Sequence, residues 1–190
     1  TLTIFLLLYQ AVKQKKQTYF LLAGLLAGVI PLIQAHSLFV IFILSFIYSV
    51  FSIFSSKNKP ELIKGWLLFA ITTAALALPL FNSISDSSEA LSFVRLQPGF
   101  TSEENLIWFW IKNLGLFAPM LLLSLAWIYS KNKYLFKLYL PFLFLFVISN
   151  IFIFQPWEFD NTKVLIYWFF PSCMLVAYFL TEEFLEQNLI

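Results

Sequence analysis

The segment 38–54 carries no charged side chain, and neither does 164–180. Runs this long and free of charge, continuously apolar rather than alternating but for a few serines, suit one environment. It is a hydrocarbon core of about 30 Å, which roughly 20 helical residues cross. In lipid every backbone N–H and C=O must find its partner within the segment, so an unbroken apolar run reads as a helix and not as a strand. Seven runs approach the required length: 2–12, 19–33, 38–54, 62–81, one within 106–129, then 134–154 and 164–180. Charged residues make up 12% of the chain, against about a quarter in a soluble domain. That is too little polar surface to face water on all sides. The expected fold is all-α, a polytopic transmembrane helix bundle of about seven spans, with residues 1–190 forming a single transmembrane domain. The chain opens inside an apolar run without an initiator Met, and so reads as an internal or C-terminal piece of something longer. Cys173, the only cysteine, lies mid-span and reads as an inert buried thiol.

The connectors orient the bundle. Lys13, Lys15 and Lys16 follow the first run, Lys57, Lys59 and Lys64 flank the third-to-fourth connector, and Lys131, Lys133 and Lys137 flank the fifth-to-sixth. These are alternate connectors, so most of the 12 basic residues collect on one side. The positive-inside rule makes that side cytoplasmic. Arg95, Lys112 and Lys163 fall on the other side, against the topology signal, and call for another reason to be there.

That outer side comprises the loops 34–37, 82–112 and 155–163. The first, Gln34–Ala35–His36–Ser37, follows Pro31 and must be a tight hairpin. His36, the only histidine, either caps a helix end or serves as a proton carrier or phosphate contact. The second begins with turn and cap chemistry from Asn82 to Glu89, then mixes apolar and polar residues through Phe93, Val94, Arg95, Leu96, Gln97, Pro98, Gly99 and Phe100. A solvated linker has no use for so many apolar side chains, so this stretch is expected to fold back onto the helix ends. Arg95 there either pairs with Asp86 or Glu89, or holds a phosphate or carboxylate bidentately.

Beyond it, Ser102 is expected to cap a helix with Glu103 and Glu104 in its first turn. The run 106–129 is longer than one crossing needs, and Lys112 and Asn113 would lie deep within it. An interfacial helix carrying Trp108 and Trp110, a break near Gly115, and then the span proper is the better reading. Lys112 either snorkels or joins a site.

The third loop is the densest, Gln155–Pro156–Trp157–Glu158–Phe159–Asp160–Asn161–Thr162–Lys163. Asp160 or Asn161 is expected to cap the seventh helix, with Asp160 and Lys163 paired on one helical face. Gln155, Trp157 and Glu158 remain unexplained by capping. Glu158 beside an indole has the setting of a general acid or base whose pKa rises on shielding. The outer segments together offer Glu158 and Asp160 as catalytic carboxylates. As substrate-binding groups they offer His36, Arg95, Gln97, Lys112, Asn113, Gln155, Trp157, Asn161 and Lys163. Cations suit phosphate, amides suit hydroxyls, and indole stacks on a sugar or an isoprenoid. One His and no useful Cys spacing suit a metal site poorly, so no cofactor is expected, although Glu158, Asp160 and Asn161 offer hard oxygens for a divalent ion. No phosphate loop, nucleophile elbow or nucleotide fingerprint occurs, and no nucleic-acid partner is expected. Gly24 and Gly28 form one G-x-x-x-G, a sign of close helix packing.

In Pro31–Leu32–Ile33–Gln34–Ala35–His36–Ser37, in Leu96–Gln97–Pro98–Gly99–Phe100, and above all in the third loop, the chain resembles the C-superfamily (GT-C) of integral-membrane glycosyltransferases. The resemblance implies transfer of a sugar from a polyprenyl-phosphate carrier to an acceptor on the extracytoplasmic face of the plasma (inner) membrane, with inversion at the anomeric carbon. Its partners are then the lipid-linked sugar and the membrane itself. It also implies a catalytic acid in a first outer loop, which this sequence lacks; the matched residues would then bind donor phosphate or sugar. The competing reading is a transporter or flippase of an anionic or lipid-linked solute. A transporter would carry ionisable residues at mid-membrane, whereas here they gather at one boundary. A non-catalytic scaffold subunit is the third reading.

Overall fold

A computed structural model describes residues 1–84, 94–99, 104–154 and 158–185, the side chains of 35–36, 81–84, 158 and 184–185 excepted. The chain forms two compact units, Thr1–Ser92 and Phe93–Ile190. Among the described residues the fold is all-α apart from one two-residue strand pair.

In the first unit, α1 (Leu2–Gln14) and α2 (Gln17–Gly28) are joined by a turn in which Lys15 takes the left-handed conformation, φ 54°. A 3-10 turn, Ile30–Leu32, with Pro31 buried in it, leads to α3 (Ala35–Ser55) and α4 (Lys59–Ile84). Helices α2 and α4 run side by side in the same direction. Gln17 Nε2 donates to Glu61 O at 3.0 Å near their starts, and further along Thr73 Oγ lies 3.4 Å from Gly24 O. The glycines are what allow this approach. A Cβ on Gly24 would fall 2.9 Å from Phe69 O, one on Gly28 would fall 2.6 Å from Leu76 Cβ, and one on Gly65 would fall 2.4 Å from the Phe20 ring. Trp66 is the hub of the core. Its indole N–H donates to Ser52 Oγ at 3.0 Å, and Phe20, Tyr48 and Phe69 meet it edge-on. With α1 turning back into α2, and α4 parallel to α2, the α1–α2 and α3–α4 turns share one end of this unit. That end carries Lys15, Lys16, Lys57 and Lys59.

In the second unit, β1 (Arg95–Leu96) precedes α5 (Leu106–Leu114), α6 (Phe117–Lys131) and α7 (Lys133–Ser149). Then come β2 (Phe152–Ile153), a 3-10 turn Glu158–Asn161, and α8 (Thr162–Leu180), which runs on into a π-helical turn Thr181–Leu185. Helices α6, α7 and α8 pack around Leu121, Ile128, Tyr139, Trp168, Leu175 and Val176. Asn132 closes the α6–α7 turn and caps α7 by accepting from Leu135 N at 3.0 Å. The Trp127 indole donates to the Glu183 carboxylate, which sets the C-terminal end of α8 beside the later part of α6. The lysine-bearing turn at Lys131 and Lys133 and the acids Glu182 and Glu183 therefore lie at one end of this unit.

Three helices among the described residues are long and apolar enough to cross a membrane, within Ser37–Ser55, Lys59–Leu80 and Phe159–Glu183; the α5–α6 pair makes a fourth if its two limbs count as one. The seven apolar runs do not become seven long helices. The first forms a helix of only 13 residues that the lysine-rich turn ends, and the second one of 12, stopped by the break ahead of Pro31. The run 134–154 stops being helical at Ser149. The run from 106 breaks at Gly115, φ 50°, where α5 and α6 meet at 92°.

Candidate functional site

Two asparagines organise the end of the second unit opposite its lysine turn. Asn150 follows the last residue of α7. Its Nδ2 donates to Phe146 O at 2.7 Å, one turn back. Its Oδ1 accepts from the Trp110 indole at 2.7 Å, fastening α5 to the α7 end. Its backbone carbonyl accepts from Gly99 N at 2.9 Å, and the next carbonyl, Ile151 O, accepts from Gln97 N at 2.9 Å. These bonds continue the β1–β2 ladder, in which Arg95 faces Ile153 and Leu96 faces Phe152. Gly99 reaches Asn150 with φ 102°, a conformation that a side chain would resist.

Asn161 is fully buried. Its Nδ2 donates to Ser149 O at 2.8 Å and Phe152 O at 2.9 Å, and its Oδ1 accepts from Phe154 N at 3.0 Å. It occupies the N-cap position of α8 without a side-chain capping bond. The expected cap at Asp160 or Asn161 is thus replaced by a clamp. The amide turns away from its own helix to satisfy backbone groups of the α7 exit and of β2, which would otherwise be buried unpaired. Both amide hydrogens are spent on backbone, so Asn161 positions the connector rather than presenting donors to a ligand. The cap of α5 is likewise Asn105, accepting from Ile107 N at 2.9 Å, while Ser102 lies outside the described residues.

Around this frame sit the charged side chains. Arg95 is exposed, and its Nε donates to Gln97 Oε1 at 3.2 Å. Lys163 pairs with Asp160 at 2.9 Å, the (i, i+3) contact expected of them. Lys112 pairs with Glu104 at 2.5 Å, and Asn113 Nδ2 donates to Phe109 O at 2.7 Å. All are at least partly exposed, where an ion pair contributes about 0–1 kcal/mol and exchanges readily for another partner. Arg95, Gln97, Asp160, Asn161 and Lys163 are thus set on one hydrogen-bonded frame, with Lys112 and Asn113 attached to it through α5. Gln155, Trp157 and the Glu158 side chain lie outside the described residues, as does the His36 side chain in the other unit. Among the described residues no three of His, Cys, Asp and Glu are grouped to hold a metal ion.

Asn150 is the residue of this frame that the sequence alone does not single out. An amide closing an apolar run looks like a helix stop. What could have marked it is its company, an indole-rich helix and a Pro–Gly turn that both need a buried partner. No family model matches the chain, and neither a curated protein nor a solved structure is similar enough to match it.

Proposed function

We propose that the chain is part of a membrane glycosyltransferase that moves a sugar from a polyprenyl-phosphate carrier to an acceptor at the extracytoplasmic boundary of the plasma membrane. In this reading the seven apolar runs cross or enter the bilayer, the lysine turns lie in the cytoplasm, and α5 lies along the outer boundary. The observation that carries it is the pairing of β1 with β2. It sets the arginine-bearing strand beside the connector that holds Glu158, Asp160 and Lys163, so cations and carboxylates share a frame at the end opposite the lysine turn.

The chemistry follows from these groups. An acceptor hydroxyl attacks the anomeric carbon; the new C–O bond forms as the bond to the phosphate oxygen breaks, inverting that carbon. Glu158 or Asp160 takes the hydroxyl proton. Arg95, with Lys163 or Lys112, receives the negative charge that builds on the departing lipid phosphate. Asp160 is free to act only when Lys163 lets it go, and an arriving phosphate competes for that lysine. The local pair is therefore a resting state that the donor opens.

The test is transfer of radiolabelled sugar from a panel of polyprenyl-phosphate sugars, in membranes holding the full-length protein. Losing a charge-assisted bond to phosphate costs about 1.5–3 kcal/mol, so Arg95→Ala and Lys163→Ala should each slow transfer about tenfold to a hundredfold at unchanged expression. Unaltered turnover in both variants removes these residues from the site. No release of polyprenyl phosphate from any donor overturns the proposed reaction.

A further inference from the structure

Helix α5 has three distinct sides. At about 100° per residue, Trp110 and Leu114 fall on one side and pack against the α6–α8 core. Ile107, Trp108 and Ile111 fall on the next, and are 71%, 57% and 52% exposed. Lys112 and Asn113, both exposed, flank the half-buried Phe109 on the remaining arc. A helix in water has no reason to show the second side, and one immersed in hydrocarbon has no reason to show the third. The headgroup layer satisfies both, with apolar residues toward the acyl chains and polar residues toward water. The 92° bend at Gly115 gives the matching orientation, because a helix perpendicular to a spanning α6 lies in the membrane plane. Leu116, at the corner, is 82% exposed.

Helix α5 is also mechanically connected. The Trp110 indole bonds Asn150 Oδ1, and the carbonyl of the same asparagine holds Gly99, three residues beyond Leu96 in β1. Asn150 thus bonds both the membrane-facing helix and the segment that continues the arginine-bearing strand. We propose that α5 seats in the lipid headgroup layer through Ile107, Trp108 and Ile111, and that the Trp110–Asn150 hydrogen bond passes this seating on to the strand that carries Arg95. The inference rests on the membrane placement proposed above and not on sugar transfer.

Nitroxide labels test it without an activity assay. The full-length protein, cleared of other reactive thiols, is labelled at Ile107→Cys, Ile111→Cys or Asn113→Cys. It is then reconstituted into vesicles of phosphatidylcholine and phosphatidylglycerol. Labels at 107 and 111 should collide with oxygen in preference to a water-soluble nickel chelate, and the label at 113 should do the reverse. Nickel access at all three puts α5 in water, and oxygen preference at all three makes it a re-entrant segment; either overturns the seating. The link is read at Leu96→Cys, an exposed position. Trp110→Phe keeps the ring contacts with Phe146 and Trp168 but removes the N–H donor. It should sharpen the spectrum of the label at 96 at least twofold, while the depths at 107 and 111 relax toward water. An unchanged label at 96 in that variant overturns the coupling. Both results are obtained whether or not the protein transfers a sugar.

Discussion

Asn161 shows how a single polar side chain is retained in so apolar a chain. Three backbone groups around the α7 exit, Ser149 O, Phe152 O and Phe154 N, depend on its amide. Asn161→Ala strips all three at once, and at ~1–3 kcal/mol for each buried group left unpaired the loss should reach about 3 kcal/mol even after water re-enters. Thermal unfolding in detergent measures it. Lys163→Ala is the control, since its pair with Asp160 is partly exposed and its removal should cost less than about 1 kcal/mol. The two neighbours are expected to divide their effects, with Asn161 acting on stability and Lys163 on turnover. Equal destabilisation by both would mean that the ion pair holds the connector as firmly as the amide does. The sequence made both residues conspicuous but could not assign these parts. An asparagine just before a helix is an equally good cap or clamp, and only the course of the chain from Ser149 to Phe154 decides.

At the scale of elements, the fold is most legible in the sequence where one residue type leaves one option. The G-x-x-x-G of α2 lets that helix lie against α4, and Gly115 breaks the long run into α5 and α6, both for reasons of backbone sterics. It is least legible where apolar length alone has to set helix length. The run 134–154 stays apolar through Phe152, Ile153 and Phe154, yet these residues form a strand and its exit because Arg95 and Leu96 arrive to pair with them. Partners 56 and 58 positions away in register leave no local periodicity to detect. The glycines give a direct test. A Cβ at Gly28 would sit 2.6 Å from Leu76 Cβ, so Gly28→Val must push α2 off α4 or displace Leu76, at about 1–3 kcal/mol. Gly115 meets nothing within 4 Å of such a Cβ, so Gly115→Ala should cost only the backbone strain of its positive φ with ψ −129°, about 1–3 kcal/mol. Cysteine crosslinking between α2 and α4 separates the two. It should weaken in Gly28→Val and be untouched in Gly115→Ala.

For the whole molecule the question is how seven apolar runs relate to three or four full-length spans, and the lysines supply a test by parity. Helix α2 and its 3-10 turn together rise about 24 Å at ~1.5 and ~2 Å per residue, less than the ~30 Å of hydrocarbon. Yet α2 starts level with Glu61 and reaches Leu76 along α4, a span candidate in its own right. A short helix backed by a long neighbour can complete a crossing with its flanking turn, provided the neighbour covers its backbone. If α2 crosses in this way, and α3, α4 and the α5–α6 segment each cross once, every lysine turn falls on one side. Asn58→Cys and Asn132→Cys, introduced singly into intact cells, should then resist a membrane-impermeant thiol reagent until the membrane is opened. Gln97→Cys and Asn113→Cys should react at once. Asn58 and Asn132 are the informative pair, because they sit in different units and only an even number of crossings between them puts them on the same side. Opposite labelling of these two would break the parity and remove one run between them from the membrane. The α5–α6 segment would be the first suspect, since its two limbs already lie at right angles.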